Sequence, residues 1–228
     1  MKPARARKVS PLSTPKAQSL QRPGPVGGVR DLNRQKKALA IRDAALLLFL
    51  ERGIEAVSVD DIMKSARMAK GSFYRYYADQ TALVEDLIAP TRALLTQALD
   101  ACSRDLETAS TREMMFKAYS RIGEVLATLL LEHPGPVRLF LQESRAPSQG
   151  SRRPIIELSK TISRYAIDIT RTAQKHGILK PIPVAVSALT VVGAAERLLL
   201  AVLHDEDIGN VLEVPAALTT LILDGLKA

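Results

Sequence analysis

Seven consecutive positions hold the residues best suited to chemistry at a surface: Lys70, Gly71, Ser72, Phe73, Tyr74, Arg75 and Tyr76. They supply two cations, a small hydroxyl, two phenols and one residue without a Cβ. Such groups donate and accept hydrogen bonds and attract negative charge; none is set up to break a covalent bond. Elsewhere the ingredients of catalysis are scattered. His133, His176 and His204 are isolated from one another, without the Glu-x-x-His pairing that helical bundles use for metals. The lone Cys102 cannot form an internal disulfide or a cysteine zinc cluster, and in helical register it reads as a small buried hydrophobe. No glycine-rich phosphate loop, G-x-S-x-G elbow or paired-cysteine motif occurs. Neither catalytic residues, nor a metal site, nor a cofactor is expected.

The charge is concentrated near the same stretch. The chain has 228 residues and a formal net charge of +8. Residues 1–32 carry seven basic side chains against one acidic, residues 33–85 nine against seven, and residues 86–228 sixteen of each. A polyanionic partner would therefore meet the N-terminal third; the plain alternative is a basic tail that serves solubility. Residues 1–32, rich in Pro, Gly, Ser and basic side chains, read as a disordered basic arm with too little apolar surface to offset its ordering entropy. They lack the apolar block of a secretory signal.

Composition sets the class. An apolar share of 46% and a charged share of 25% are those of a globular chain, and 4% aromatics with no Trp speak against a β-sandwich. The most apolar stretch, Ile182–Ala195, runs 14 residues, contains Pro183 and is followed by Glu196 and Arg197. That is short for a membrane span and suits a buried or partner-facing helix. The expected setting is a reducing cytosol, without a membrane partner.

Helical periodicity begins at Asn33. Ile41, Ala44, Ala45, Leu48 and Phe49 recur at three- and four-residue spacing over about 34–52, and Gly53 supplies a left-handed stop. Ser58 and Asp61 have the spacing of a capping box for a short helix over 58–66 with Ile62 and Ala66 inward. A third short helix is predicted over 70–77, with Phe73 and Tyr77 on its buried edge. At 100° per residue Gly71, Ser72 and Arg75 face away from that edge, and Tyr74 and Tyr76 lie at its borders. Longer helices are predicted over 80–107, 111–132, 136–145, 152–176, 182–204 and 211–226, with Pro90 expected to kink or divide the first. No strand alternation appears. The fold class is all-α: a three-helix helix-turn-helix over 33–88, then a larger helical domain over 89–228.

The run Ala44-Ala45, Leu48-Phe49, Gly53, Ser58-Val59, Ile62, Ala66, Lys70-Gly71-Ser72-Phe73-Tyr74, Tyr76-Tyr77 and Leu83 closely resembles the N-terminal domain of TetR-family transcriptional regulators. The resemblance is specific over about 35–88; beyond it only length and helical plan agree. It implies that the second short helix enters the major groove of double-stranded DNA. Tyr74 and Tyr76 would then contact phosphates, and Ser72 and Arg75 would lie nearer the bases. Lys70 would bring a cation and a helix start to the phosphate backbone, and Gly71 would let the main chain approach closely. Ser58 joins these as a DNA-binding candidate. The plain readings are packing for the tyrosines and a solvated charge for Arg75. Four positions depart from the family pattern: Arg67 where the turn usually has Gly, Ala69 where Ser or Thr usually caps, Gln80 where Lys often meets phosphate, and Val57 where Thr often does. The basic arm would offset those losses by reaching the minor groove or releasing counterions.

The resemblance further implies a homodimer and a small-molecule effector. The helices over 182–204 and 211–226 are the dimerisation candidates, with Ala185, Ala188, Gly193, Ala194 and Ala195 permitting close approach. Effector candidates on the middle helices are Met115, Tyr119, Ile122, Phe140, Tyr165 and Ile169; ordinary core is the plain reading of each. Arg121, Gln142, Glu143 and Arg145 would orient a ligand or face water. The expected protein is a repressor in a bacterial cytoplasm, at the nucleoid, released from a palindromic operator by its effector. The alternative is a non-switching, weakly specific architectural DNA binder.

Overall fold

The computed structural model describes residues 28–226, so residues 1–27 of the expected arm lie outside the described residues. The chain divides into two units, residues 1–36 and residues 37–228. In the first, Asp31 lies in the opening turn of a helix, where a carboxylate suits the exposed N–H groups, and Gln35 Nε2 donates to it at 3.2 Å. Helix α1 accordingly spans Val29–Arg52 and starts four residues before Asn33. The boundary placed after residue 32 falls inside this helix, and residues 29–32 are helical where a disordered arm was expected.

Short elements follow α1. A 3₁₀ turn at Ile54–Ala56 leads to α2 (Val59–Ser65) and then to a 3₁₀ segment, Lys70–Arg75. The long helices are α3 (Gln80–Thr108), α4 (Arg112–Glu132), α5 (Pro134–Glu143), α6 (Arg153–Lys175), α7 (Val184–Leu203) and α8 (Val214–Leu226), with a 3₁₀ turn at Gly150–Arg152 before α6. No strand occurs among the described residues, and the architecture is all-α. Starts are chemically marked: Asp79 accepts from Ala82 N–H at 2.8 Å, Thr111 accepts from Met114 N–H at 3.2 Å, and Pro134 opens α5.

Pro90 does not divide α3. The helix is buried on both sides of it, with Leu83, Val84, Leu87 and Ile88 before and Leu95, Ala98 and Leu99 after. Packing at that scale outweighs one missing hydrogen bond. Gly53 also differs from expectation. Its φ of +82° is in the glycine-favouring half of the map, but with ψ at 155° the chain leaves α1 extended rather than in the left-handed helical basin.

The core shows what α3 is for. Ile41, Ala45 and Phe49 of α1, Ile62 and Met63 of α2, Phe73, and Leu83, Val84, Leu87 and Ile88 of α3 form one cluster. Leu139 and Phe140 of α5 and Ile155 and Leu158 of α6 belong to the same cluster, so the helix-turn-helix shares its core with the helices that follow. A second cluster joins Leu95, Leu99, Cys102 and Leu106 of α3 to Met115, Ala118 and Leu129 of α4, Val137 of α5 and Ile169 of α6. Helix α8 crosses α4 so closely that a Cβ on Gly123 would lie 2.4 Å from Pro215. Helix α7 is long and apolar enough to cross a membrane by length and composition, yet it packs on α6 and α5 and carries the Glu196 that pairs with Arg145 at 3.0 Å.

Candidate functional site

The site begins with the turn between α2 and the 3₁₀ segment. Ser58 caps α2: its Oγ accepts from Asp61 N–H at 3.2 Å, while Asp61 Oδ2 accepts from Ser58 N–H at 3.0 Å. These hydrogen bonds from Ser58, side chain first and backbone second, hold the Asp61 carboxyl below its ordinary range. At the other end, Met68 N–H donates to Met63 O at 2.9 Å and Arg67 N–H to Lys64 O at 3.0 Å. That pair of bonds is a Schellman motif, and it requires its next-to-last residue to be left-handed. Arg67 occupies that position with φ of +55°, a conformation that strains any residue with a Cβ.

The candidate recognition segment is 3₁₀ over Lys70–Arg75 instead of an α-helix over 70–77. The cause is local. Ala69 offers no side-chain cap, Gly71 weakens helical preference, and six residues are too few for an α-helix to offset its nucleation cost. Tight i→i+3 bonds replace the missing ones: Ser72 N–H donates to Ala69 O at 2.9 Å and Tyr76 N–H to Phe73 O at 2.8 Å. Phe73 is fully buried and meets the Tyr77 ring at 5.8 Å; Tyr77 donates through its hydroxyl to Asp86 at 2.8 Å. These two inward anchors fix which residues are left outside.

Lys70, Gly71, Tyr74 and Arg75 are exposed, Tyr74 to 62%, whereas Ser72 and Tyr76 are half-buried. A Cβ on Gly71 would meet nothing within 4 Å, so no packing demand explains glycine there. Tyr74 stands edge-on to Phe73 at 5.5 Å, which braces an otherwise free side chain. Two candidates are partly committed. Ser72 Oγ donates to Ala69 O at 2.6 Å, leaving it only lone pairs to offer outward. Lys70 Nζ lies 4.0 Å from Asp60, whose nearer partner is Lys64 at 2.7 Å; that hydrogen bond keeps the Asp60 carboxyl below its ordinary range. Ser58 is exposed, but its hydroxyl is the capping group just described.

Two departures from the family pattern serve the fold. Val57 is core, 3% exposed, and Gln80 Nε2 donates to Ile54 O at 3.0 Å. Gln80 thereby ties the start of α3 to the turn after α1.

A clamp that sequence reasoning missed holds the same turn from the other side. Glu143, at the end of α5, is 4% exposed; its Oε1 accepts from Ile54 N–H at 3.3 Å and its Oε2 faces Arg152 Nε at 3.0 Å. Gln142 Nε2 donates to Phe49 O at 3.1 Å, and Arg152 N–H donates to Glu55 at 3.2 Å. Partners 89 to 97 residues apart leave no local signal, and nothing in the periodicity could have paired them. Glu143 is therefore withdrawn from water and committed to the fold, while Gln142 is exposed and gives its amide N–H groups to Phe49 and Glu143. Arg121 pairs with Asp105 at 2.8 Å and Arg145 with Glu196.

The opposite side of α5 borders a cavity of about 520 Å³ between α3, α4, α6, α7 and α8. Tyr119, Ile122, Phe140 and Ile169 line it. Met115 and Tyr165 do not: Met115 is buried in the second core cluster, and the Tyr165 hydroxyl bonds Asp100. Val137 and Phe140 reach the cavity from the helix whose last turn carries Gln142 and Glu143. No group of acidic, histidine or cysteine side chains able to hold a metal occurs among the described residues.

Comparison with known proteins agrees with this geometry. The sequence pattern of the bacterial regulatory proteins of the tetR family matches residues 41–87. The chain is 32% identical over 93 residues to the uncharacterized HTH-type transcriptional regulator YdeS of Bacillus subtilis, a match covering 40% of this chain and 46% of YdeS. The matched stretch is thus less than half of that relative's length. Among solved structures, the fatty acid degradation regulator FadR from Bacillus halodurans superposes with a TM-score of 0.61 at 17% identity, over 83% of this chain and 96% of FadR. The Bacillus subtilis FadR in complex with stearoyl-CoA gives 0.56 at 20% identity, over 82% and 98%. At such identities the likeness speaks for the fold. Residues 41–87, with their capped α2, their Schellman turn and the exposed Lys70, Gly71, Tyr74 and Arg75, are thus similar to the bacterial regulatory proteins of the tetR family.

Proposed function

We propose that the protein is a transcriptional repressor that binds a palindromic operator as a homodimer and releases it when a small molecule occupies the cavity behind α5. The carrying observation is the exposed run of Lys70, Gly71, Tyr74 and Arg75, held outward by the buried Phe73 and Tyr77. A rigid, cation-bearing edge with no Cβ at its second residue fits a major groove, and the phenols and Lys70 meet phosphates while Arg75 reads bases. Ser72 contributes as an acceptor and Ser58 by holding α2.

What supports the switch is the position of α5 between cavity and clamp. A ligand that repacks Val137 and Phe140 shifts the helix whose end grips Ile54 and Phe49, and so the orientation of α1 and the reading segment. By linkage, operator and effector weaken each other's binding by the same factor. Dimerisation is supported by α7 and α8, where Val186 (60% exposed), Leu189 and Leu221 (66%) stand uncovered in one chain and Gly193 faces open space. A palindrome needs two reading heads, and this surface is where a second copy would supply one. The protein acts in the cytoplasm, at the nucleoid.

Footprinting of the purified full chain on DNA flanking its own coding region tests the reading. The expected result is a protected imperfect palindrome, retained against excess random duplex at raised salt. Equal competition by random duplex would sink it.

A further inference from the structure

The lining of the cavity restricts what can enter it. None of the described residues around it is Lys, Arg or His. Of its two acidic residues, Glu196 holds Arg145 at 3.0 Å, and Asp205 stands in water just past the end of α7. A charged group brought inside would have no counter-ion and would lose its hydration, an arrangement that proteins avoid. Most of the wall is Leu, Ile, Val and Ala, and 520 Å³ lies within the range of small-molecule pockets.

Hydroxyl side chains interrupt this wall, Thr170, Ser187 and Thr219 among them, and one is buried without a partner. Thr91 lines the cavity, is 3% exposed, and its Oγ1 is buried without a hydrogen-bond partner. A threonine inside a helix ordinarily satisfies its hydroxyl on the carbonyl one turn back, as Thr96 does on Arg92 O at 2.8 Å and Thr190 on Val186 O at 2.8 Å. Thr91 does not, and a buried hydroxyl left unpaired is costly to the fold. Tyr119 lines the same cavity and adds a phenol that burial keeps protonated far above its ordinary range, hence a neutral donor.

We infer that the cavity takes an uncharged, mainly hydrocarbon ligand bearing one hydrogen-bonding oxygen (a hydroxyl, ketone or ester) held by Tyr119 and by Thr91 once its unpartnered hydroxyl turns into the cavity. This rests on the cavity being the effector site and narrows its ligand class. It sets the cavity apart from one built for a carboxylate or phosphate, since such a head would have to remain outside.

A matched series separates the possibilities. The neutral fluorophore N-phenyl-1-naphthylamine is bound to the full chain at pH 8 and displaced by dodecan-1-ol, laurate or dodecylamine, each below its micellar concentration. Dodecan-1-ol should displace it at concentrations at least tenfold lower than either charged analogue. Thr91→Val, which keeps the volume, and Tyr119→Phe should each weaken dodecan-1-ol about threefold to tenfold, as expected for one hydrogen bond, without altering fluorophore binding or helix content. Equal or tighter binding of laurate or dodecylamine would overturn the inference while leaving the effector cavity standing. Unchanged dodecan-1-ol affinity in both variants would also overturn it. If the fluorophore and all three compounds fail to bind, the effector reading falls together with it.

Discussion

Glu143 Oε2 lies 3.0 Å from Arg152 Nε, and both side chains are withdrawn from solvent, at 5% and 12% exposure. The pair joins the end of α5 to the turn before α6, and the second oxygen of Glu143 meets the backbone N–H of Ile54. Because that oxygen also crowds Gly53, where a Cβ would stand 3.3 Å away, the turn after α1 is shaped around this carboxylate. Removing one partner of a buried pair leaves the other charged and unpaired. Glu143→Ala should therefore lower unfolding free energy by about 3–5 kcal/mol, read by urea denaturation. Arg152→Ala should cost a similar amount, and the double variant much less than the sum. Losses below about 0.5 kcal/mol would mean a solvated pair that contributes little.

Arg67 gives a prediction of the opposite sign. It occupies the left-handed position of the Schellman turn with φ of +55°, and it is exposed, so its side chain has little packing to lose. A non-glycine residue held there costs about 1–2 kcal/mol, and glycine gives back part of that through a looser unfolded chain. Arg67→Gly should be stabilising by about 0.5–1 kcal/mol, a rise in Tm of about 1–4 °C. A drop in Tm would show that the guanidinium has a structural role.

These two residues mark what could and could not be seen in the sequence. Ser58, Asp61, Phe73 and Tyr77 act through neighbours within a few positions, so spacing exposed the capping box and the inward face, whereas Arg67 stood out only against the family resemblance. The same local logic failed where competing local terms were close. The segment after Ala69 lies between α and 3₁₀, and the missing cap decides it. At Pro90, burial on both sides keeps α3 continuous where local rules allowed a division. The clamp was invisible for a different reason: Glu143 meets Ile54, and Arg152 meets Glu55, only after the chain has folded back. Of the six pocket candidates, the four that line the cavity and the two that do not share one periodicity, and only the packing of α4 to α8 separates them.

Cys102 should be chemically silent in the folded protein. It is fully buried in the second core cluster, and that burial, aided by Asp105, pushes its thiol up to about 12 from an ordinary 9.0. At pH 8 a thiol reagent should modify it only as fast as the chain opens, and at once in denaturant. The raised value also sets a pH dependence. The unfolded chain loses this proton more readily than the folded one, so the contribution to stability is complete below pH 9.0 and fades as pH rises toward 12. Rapid modification of the native protein at pH 8 would contradict the buried placement.

Asp60 offers the sharpest check on which side chains face DNA. It lies 4.0 Å from Lys70 and 2.7 Å from Lys64, so a negative charge sits beside the cation assigned to the phosphate backbone. Asp60→Asn removes that charge and frees Lys70, and should tighten binding to operator and random duplex alike. Lys70→Ala should do the reverse and reduce the salt slope by about 1, since one phosphate contact releases about one counterion. Tyr74→Ala should likewise weaken all sequences. Arg75→Ala differs in kind: a base-reading side chain should cost about 1–3 kcal/mol on the operator and little on random DNA, relaxing preference at one position of each half-site. Titrations of operator and random duplex at several salt concentrations separate these outcomes. If Arg75→Ala weakened both duplexes equally, Arg75 would be a phosphate contact, and base reading would have to pass to Ser72, whose hydroxyl proton is already given to Ala69.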